Sequence, residues 1–210
     1  MKYIIMCGGT YPEWKTPRWL VPVKGEPNVV RTIRMLREQN IDDIAISTNT
    51  DAFNELGVEI IKYDKGYICG SESYWVDGFP PTDDPVCYIF GDVVYSPRAI
   101  EIIRDFSVED TMFFGSMHPF GQGYTKPWAE PFGFKVEDTK EFQKAIEVTK
   151  AYQDQGRFNR IPIAWELWQV IRNTPLNQIL NNYCPINDYT CDIDYPEDAA
   201  KIAANIPDIE

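Results

Sequence analysis

The sequence predicts a single-domain α/β protein, a doubly wound and mostly parallel sheet with helices on both faces. Short apolar, β-favouring runs alternate with segments of helical apolar periodicity, the order that builds parallel strands joined by helices. The strand-like runs also end on polar or glycine-containing turns, which such a topology gathers at one edge of the sheet. Finally, no internal repeat and no low-complexity linker divides the 210 residues, a length that suits one domain with a sizeable core.

Lys2-Tyr3-Ile4-Ile5-Met6-Cys7 reads as the first strand and stops at Gly8-Gly9. A polar loop to Pro27 carries Lys15, Arg18 and Lys24. From Asn28, the apolar face of Val29, Ile33 and Leu36, with Val30 filling in, predicts a helix. Asp43–Thr48 and Val58–Tyr63 read as the second and third strands. Tyr74–Phe79 reads as a helix start capped by Ser71 or Ser73 and closed by Pro80-Pro81. Val86-Cys87-Tyr88-Ile89-Phe90 is the most apolar run and predicts a central parallel strand covered on both faces, ending at Gly91-Asp92. Ser96-Pro97 followed by Ile100, Ile103 and Phe106 predicts a capped helix with proline in its first turn. Thr111–Ser116 and Pro131–Val136 are further strands, separated by a Gly-, Pro- and aromatic-rich loop over Pro119–Glu130. Helices follow over Thr139–Gln155, Ile163–Asn173 and Tyr195–Ala204.

A net charge of -12 disfavours wholesale binding to nucleic acid or anionic lipid, so an anionic ligand needs a locally basic or metal-bearing site. The five cysteines form no CxxC pair and no zinc-like spacing, which fits buried thiols in a reducing compartment. No apolar run approaches the ~20 residues of a membrane span, and the N-terminal run is too short for a signal segment. The expected location is the cytoplasm.

Gly8 and Gly9 at a strand end expose backbone N–H groups where a phosphate can approach without meeting a Cβ, and basic side chains in the same loop would neutralise it. An ordinary surface turn explains the glycines equally well. Asp92 is either a turn residue or a carboxylate holding a hard cation, since Mg²⁺ needs only one or two carboxylates plus phosphate oxygens. Asp192 and Asp194 stand two apart, so an extended backbone points both to one side. Asp194-Tyr195-Pro196-Glu197 also reads as a capping box, and the two roles are compatible. His118 is the single histidine and cannot form a His-based metal site or triad. Trp165 and Trp168 share helical spacing with Ile161, Leu167 and Ile171, which favours core or subunit packing and leaves a homodimer open. The loop Lys126-Pro127-Trp128-Ala129-Glu130-Pro131 reads either as a contact to a charged substrate group or as a rigid connection.

With these residues placed, the chain resembles the nucleotidyltransferases of GT-A-like α/β fold. Cys7-Gly8-Gly9 followed by Pro17-Arg18-Trp19-Leu20 and Gly25-Glu26-Pro27 looks like their signature loop. Gly91-Asp92 looks like their first metal-binding aspartate, and Asp192-Ile193-Asp194 followed by Pro196-Glu197-Asp198 looks like their C-terminal acidic motif. Gly70-Ser71 occupies the place of a segment near the base and ribose. The resemblance implies nucleotide contacts from Cys7, Gly8, Gly9, Thr10, Gly70 and Ser71, and catalytic cations at Arg18 and Lys15. It implies Mg²⁺ on Asp92, Asp192 and Asp194, with Lys126 and Glu130 towards the acceptor. The implied reaction joins a nucleoside triphosphate to a phosphorylated small molecule and releases pyrophosphate. Arg18 stands where the family carries lysine, which changes a point charge into a fork. The Asp-x-Asp ending resembles the phosphocholine cytidylyltransferase branch and points to CTP. A glycosyltransferase of the same fold and a non-catalytic nucleotide-binding module stay open as alternatives. The former usually carries Asp-x-Asp where this chain has Asp92-Val93-Val94.

Overall fold

Val86–Phe90, the most apolar run of the sequence, lies inside a seven-stranded sheet with every residue buried. The structure is a computed structural model and describes residues 1–9, 14, 16–63, 74–117, 128–178 and 182–207. In chain order the first strands are β1 (Lys2–Met6), β2 (Pro22–Val23), β3 (Glu26–Pro27), β4 (Ile44–Thr48), β5 (Glu59–Lys62) and β6 (Val86–Phe90). They continue with β7 (Val93–Val94), β8 (Thr111–Gly115), β9 (Pro131–Val136), β10 (Cys184–Pro185) and β11 (Cys191–Asp192). The helices are α1 (Asn28–Glu38), α2 (Pro97–Asp105), α3 (Thr139–Asp154), α4 (Ala164–Ile171) and α5 (Asp198–Ala203).

The main sheet runs β10-β8-β9-β6-β1-β4-β5. Strand β9 runs against the rest; β1 with β4 and β6, β4 with β5, and β8 with β10 all pair in parallel. This is the doubly wound, mostly parallel α/β architecture expected. Strands β4 and β6 are buried along their whole length, which requires cover on both faces. The helices supply it in two pairs, α1 with α2 and α3 with α4. Aromatic rings fill the interior: Phe113 stacks on Phe134 at 4.7 Å between ring centroids and meets the edge of Trp165 at 4.8 Å. Trp165 and Trp168 are therefore core residues.

From β1 the chain adds β4 and β5 on one side, then returns to place β6 on the other. A reversal of strand order opens a crevice outside the carboxyl ends of the two strands that flank it. Gly8 follows β1 and Asp92 follows β6, so both stand at that crevice.

Two helices differ from expectation. Tyr74–Phe79 forms only a 3-10 turn, Trp75–Gly78, whose first N–H groups are met from within when Asp77 Oδ2 accepts from Tyr74 N–H at 3.4 Å. The expected caps, Ser71 and Ser73, lie outside the described residues. The last helix begins at Asp198 rather than Tyr195, because the intervening residues form a turn. Among the described residues no helix is long and apolar enough to cross a membrane, and Cys7, Cys87, Cys184 and Cys191 are free thiols.

The buried Tyr95 hydroxyl accepts from Phe90 N–H at 3.0 Å and donates to the Phe132 carbonyl at 2.5 Å, sealing the sheet where β6 ends. Tyr95→Phe leaves both backbone groups without that partner and is expected to cost about 1–3 kcal/mol in urea unfolding. A loss within about 0.5 kcal/mol, the range of an inert surface change, would contradict this role.

Candidate active site

The segment Gly91–Tyr95 is held from below by polar groups on α1. The buried Asn28 side chain donates to the carbonyls of Gly91 at 3.0 Å and Val93 at 2.9 Å, and Arg31 Nη1 donates to the Tyr95 carbonyl at 2.6 Å. Gly91 presses against the end of β1. A Cβ there would stand 2.4 Å from Cys7 Sγ and 3.0 Å from the Met6 carbonyl oxygen, and Gly91 N–H donates to that oxygen at 2.9 Å. Only glycine allows that approach, and the approach fixes Asp92 at the crevice.

Arg18 reaches the same point from the first loop. It opens a 3-10 turn, Arg18–Leu20, whose Trp19 is buried edge-on against Phe53. Arg18 Nη2 forms a close ion pair with Asp92 Oδ2, while Nη1 lies 3.9 Å from Asp194 Oδ1 and donates to the Ile193 carbonyl at 3.4 Å. Both side chains of the pair are largely buried, 13% and 14% exposed. Burial is the largest influence on the Asp92 carboxyl and pushes it above the usual carboxylate range. Arg18 pulls the other way, and Asp192 and Asp194 add to the rise.

The C-terminal acidic residues arrive through a second, smaller core. Strand β11 pairs antiparallel with β7, next to Asp92, so Asp192 stands opposite Val93. Ile193 is buried in a cluster with Val23, Val94, Ile202 and Ile206. Its burial turns the flanking Asp192 and Asp194 to the cavity, in line with the alternation predicted for an extended segment. Asp194 is not a helix cap. Helix α5 begins only at Asp198, whose buried Oδ2 reaches back to accept from the N–H groups of Asp194 at 3.1 Å and Tyr195 at 2.9 Å and so fixes the turn that carries Asp194.

These groups line one cavity of about 630 Å³, together with Gly8, Glu130 and a wall of aromatic side chains. The sequence reading missed that wall, which includes Tyr63, Trp75 and Trp165, with Trp128 exposed at the cavity. It also missed Arg160, whose guanidinium pairs with Glu166 at 2.7 Å. No local spacing marks these residues, because they come from segments far apart in the chain.

Several expectations need correction. Cys7 lies beneath the cavity: its thiol is buried, its N–H donates to the Ser47 carbonyl at 2.8 Å and its carbonyl accepts from the Thr48 hydroxyl at 2.8 Å. Gly8 does line the cavity, but a Cβ at residue 8 would fall on the Tyr63 hydroxyl, so the space its side chain leaves is taken by tyrosine. Gly9 has φ +99, a conformation suited to glycine. Lys24 turns away from the crevice, donating to the carbonyls of Ile206 at 2.7 Å and Pro207 at 2.9 Å. Glu130 is buried at the cavity, and its Oε2 accepts from Asp192 N–H at 3.0 Å, so it positions the acidic strand. Thr10, Lys15, Gly70, Ser71, His118 and Lys126 lie outside the described residues.

The donor set suits a hard divalent cation. Asp92, Asp192 and Asp194 offer carboxylate oxygens to one cavity, and Mg²⁺ prefers one or two such ligands alongside substrate phosphates. One donor atom each from Glu130, Cys191 and Asp192 also lie within 4.8 Å of one another, but the soft sulfur suits Mg²⁺ poorly.

No model of a protein family and no curated protein sequence matches the chain. Solved structures do match its fold along nearly its full length. HddC from Yersinia pseudotuberculosis, solved with GMP-PN, superposes with a TM-score of 0.53 at 14% identity over 97% of this chain and 98% of that one. A Bacillus anthracis protein assigned as a glucose-1-phosphate thymidylyltransferase gives 0.56 at 17% identity, covering 98% and 96%. The CTP:phosphocholine cytidylyltransferase LicC from Streptococcus pneumoniae gives 0.54 at 14% identity, covering 97% of each chain. At these identities the likeness establishes the fold.

Because Asn28 alone ties α1 to both carbonyls flanking Asp92, Asn28→Ala is expected to destabilise the protein by about 2–3 kcal/mol in urea unfolding, the penalty for orphaned buried carbonyls. Stability unchanged within about 0.5 kcal/mol would contradict the clamp.

Proposed function

We propose that the protein is a Mg²⁺-dependent nucleotidyltransferase that joins a nucleoside triphosphate to a phosphorylated small-molecule acceptor and releases pyrophosphate. The observation that carries this reading is the convergence of Arg18, Asp92, Asp192 and Asp194 on one cavity at the point where strand order reverses. The shared fold of the three nucleotide-handling neighbours supports it. The Asp192-x-Asp194 ending and the likeness to LicC favour CTP. Buried free thiols suit a reducing compartment such as the cytoplasm.

In this reading an oxygen of the acceptor phosphate attacks the α-phosphorus, the bond to the bridging oxygen breaks, and pyrophosphate departs. The acceptor is already an anionic nucleophile, so no general base is required. The protein has to align two anions and offset the charge that gathers between them. Arg18 serves the α-phosphate and the leaving group, presenting a forked, permanently charged donor. Backbone N–H groups of the Gly8–Gly9 turn border the triphosphate. Asp92, Asp192 and Asp194 are the residues to hold Mg²⁺, which when bound neutralises phosphate oxygens. Glu130 and Asn28 act through those aspartates by fixing their backbone. By the resemblance of the sequence, Lys15 is assigned a catalytic cation's role, Thr10, Gly70 and Ser71 nucleotide contacts, and Lys126 an acceptor contact.

The test is pyrophosphate release from CTP, with the other three triphosphates in parallel, in the presence of Mg²⁺ and a panel of phosphorylated acceptors. Wild-type protein is expected to release pyrophosphate only when an acceptor is present. Asp92→Asn removes the buried carboxylate charge and is expected to lower that rate by roughly a hundredfold or more, the scale of losing one preorganised transition-state group. Wild-type turnover by the variant would overturn the metal assignment.

A further inference from the structure

Asp92 and Asp194 already share a cation in this structure, and that cation belongs to the chain. The Arg18 guanidinium bonds Asp92 through Nη2 and stands 3.9 Å from Asp194 through Nη1, at largely buried positions. These are the same carboxylates assigned to Mg²⁺ under the proposed function, on which this inference rests. We propose that Arg18 and the divalent cation occupy the Asp92–Asp194 seat in alternation, so that arrival of the metal–nucleotide complex displaces Arg18 from the carboxylates onto the phosphates.

Charge and geometry both argue for alternation over coexistence. Arginine cannot shed its proton at any ordinary pH, so it leaves the seat by moving rather than by neutralising. With Arg18 seated, a divalent ion on Asp92 would meet a full positive charge bonded to Oδ2 of the same carboxylate, in a largely buried place where screening is weak. The local backbone permits the movement. Arg18 opens a single 3-10 turn whose fixed point is the buried Trp19, and its guanidinium reaches Asp92, Asp194 and the Ile193 carbonyl at the end of a long, rotatable side chain. The exchange leaves a cation on the carboxylates and anions on the guanidinium. The carboxylates trade a guanidinium for a metal ion, and the guanidinium trades carboxylates for phosphate oxygens, which match its fork equally well. The low exposure of the Asp92 side chain, 14%, adds a reason for the seat never to stand without a cation, since an unpaired carboxylate out of water is costly.

The second arginine of the cavity supplies a control. Arg160 lines the same space but is bonded to Glu166, not to the aspartates. Removing either arginine raises cation affinity through general electrostatics; only removing Arg18 opens the seat. The experiment titrates Mn²⁺ alone, without nucleotide, into wild type, Arg18→Gln, Arg18→Ala and Arg160→Ala, reading bound Mn²⁺ by electron paramagnetic resonance. Thermal unfolding of each is followed in chelator and in Mn²⁺. Arg18→Gln, which keeps a polar donor beside Asp92, guards against a failure of the alanine variant to fold. Both Arg18 variants are expected to bind Mn²⁺ roughly tenfold or more tightly than wild type, an ordinary coupling for ligands of one site. Their melting temperatures, lowered in chelator, should be raised by Mn²⁺ more than that of wild type.

Arg18 variants that bind Mn²⁺ no more tightly than wild type would overturn the proposal, and so would an equal gain in Arg160→Ala. Pyrophosphate release by the wild type separates the two readings. Turnover without the Mn²⁺ gain leaves the function standing and removes the alternation. The Mn²⁺ gain without turnover leaves the shared seat standing and removes the nucleotidyltransferase.

Discussion

The buried ion pair between Arg18 and Asp92 is the constraint around which the site is built. A carboxylate at the end of a fully buried strand needs a partner charge, and a guanidinium brought 74 residues along the chain provides it. Each neighbouring feature serves that meeting. Gly91 lets the strand end press against β1, Asn28 and Arg31 hold the backbone on either side of Asp92, and Trp19 anchors the turn that carries Arg18. The small core around Ile193 then brings two more carboxylates to the same place. Removing one member of such a pair costs about 3–5 kcal/mol, while its net worth when intact is small, so it stabilises the fold little and defines the site strongly.

That arrangement also reconciles an acidic protein with an anionic ligand. With a net charge of -12, the surface as a whole does not attract phosphates. The described part of the cavity holds four carboxylates and two guanidinium groups, each guanidinium already bonded to a carboxylate. A triphosphate therefore needs to bring a cation with it, and the aspartates are placed to receive one. Aromatic side chains line the same cavity, and an apolar wall strengthens charge–charge interactions beside it.

The fold class and most element boundaries were legible because they rest on periodicity and abrupt polar turns, which are local. The three aspartates were legible because strand ends and the two-residue repeat are local too. Other features were not. Asn28 and Arg31 sit on a helix read by its apolar face, and nothing in sequence separates a polar residue that clamps a loop from one facing water. Tyr63 explains Gly8 through a contact 55 residues away. Lys24 and Glu130 carried the charges expected at an active site, but their partners, the carbonyls after α5 and the N–H of Asp192, exist only in the folded chain. Asp194 fitted a capping pattern, but the helix starts four residues later, and Asp198 bonds back to the turn instead.

The central claim is that the Arg18–Asp92 crevice receives a nucleoside triphosphate together with a divalent cation. Differential scanning fluorimetry with each of the four triphosphates, with and without Mg²⁺, tests it most directly. A rise in melting temperature of several degrees with at least one triphosphate, present with Mg²⁺ and lost in chelator, is the expected result, since ligand at about a hundred times its Kd adds about 2.7 kcal/mol. No rise with any of the four, at millimolar triphosphate and Mg²⁺, would contradict the claim.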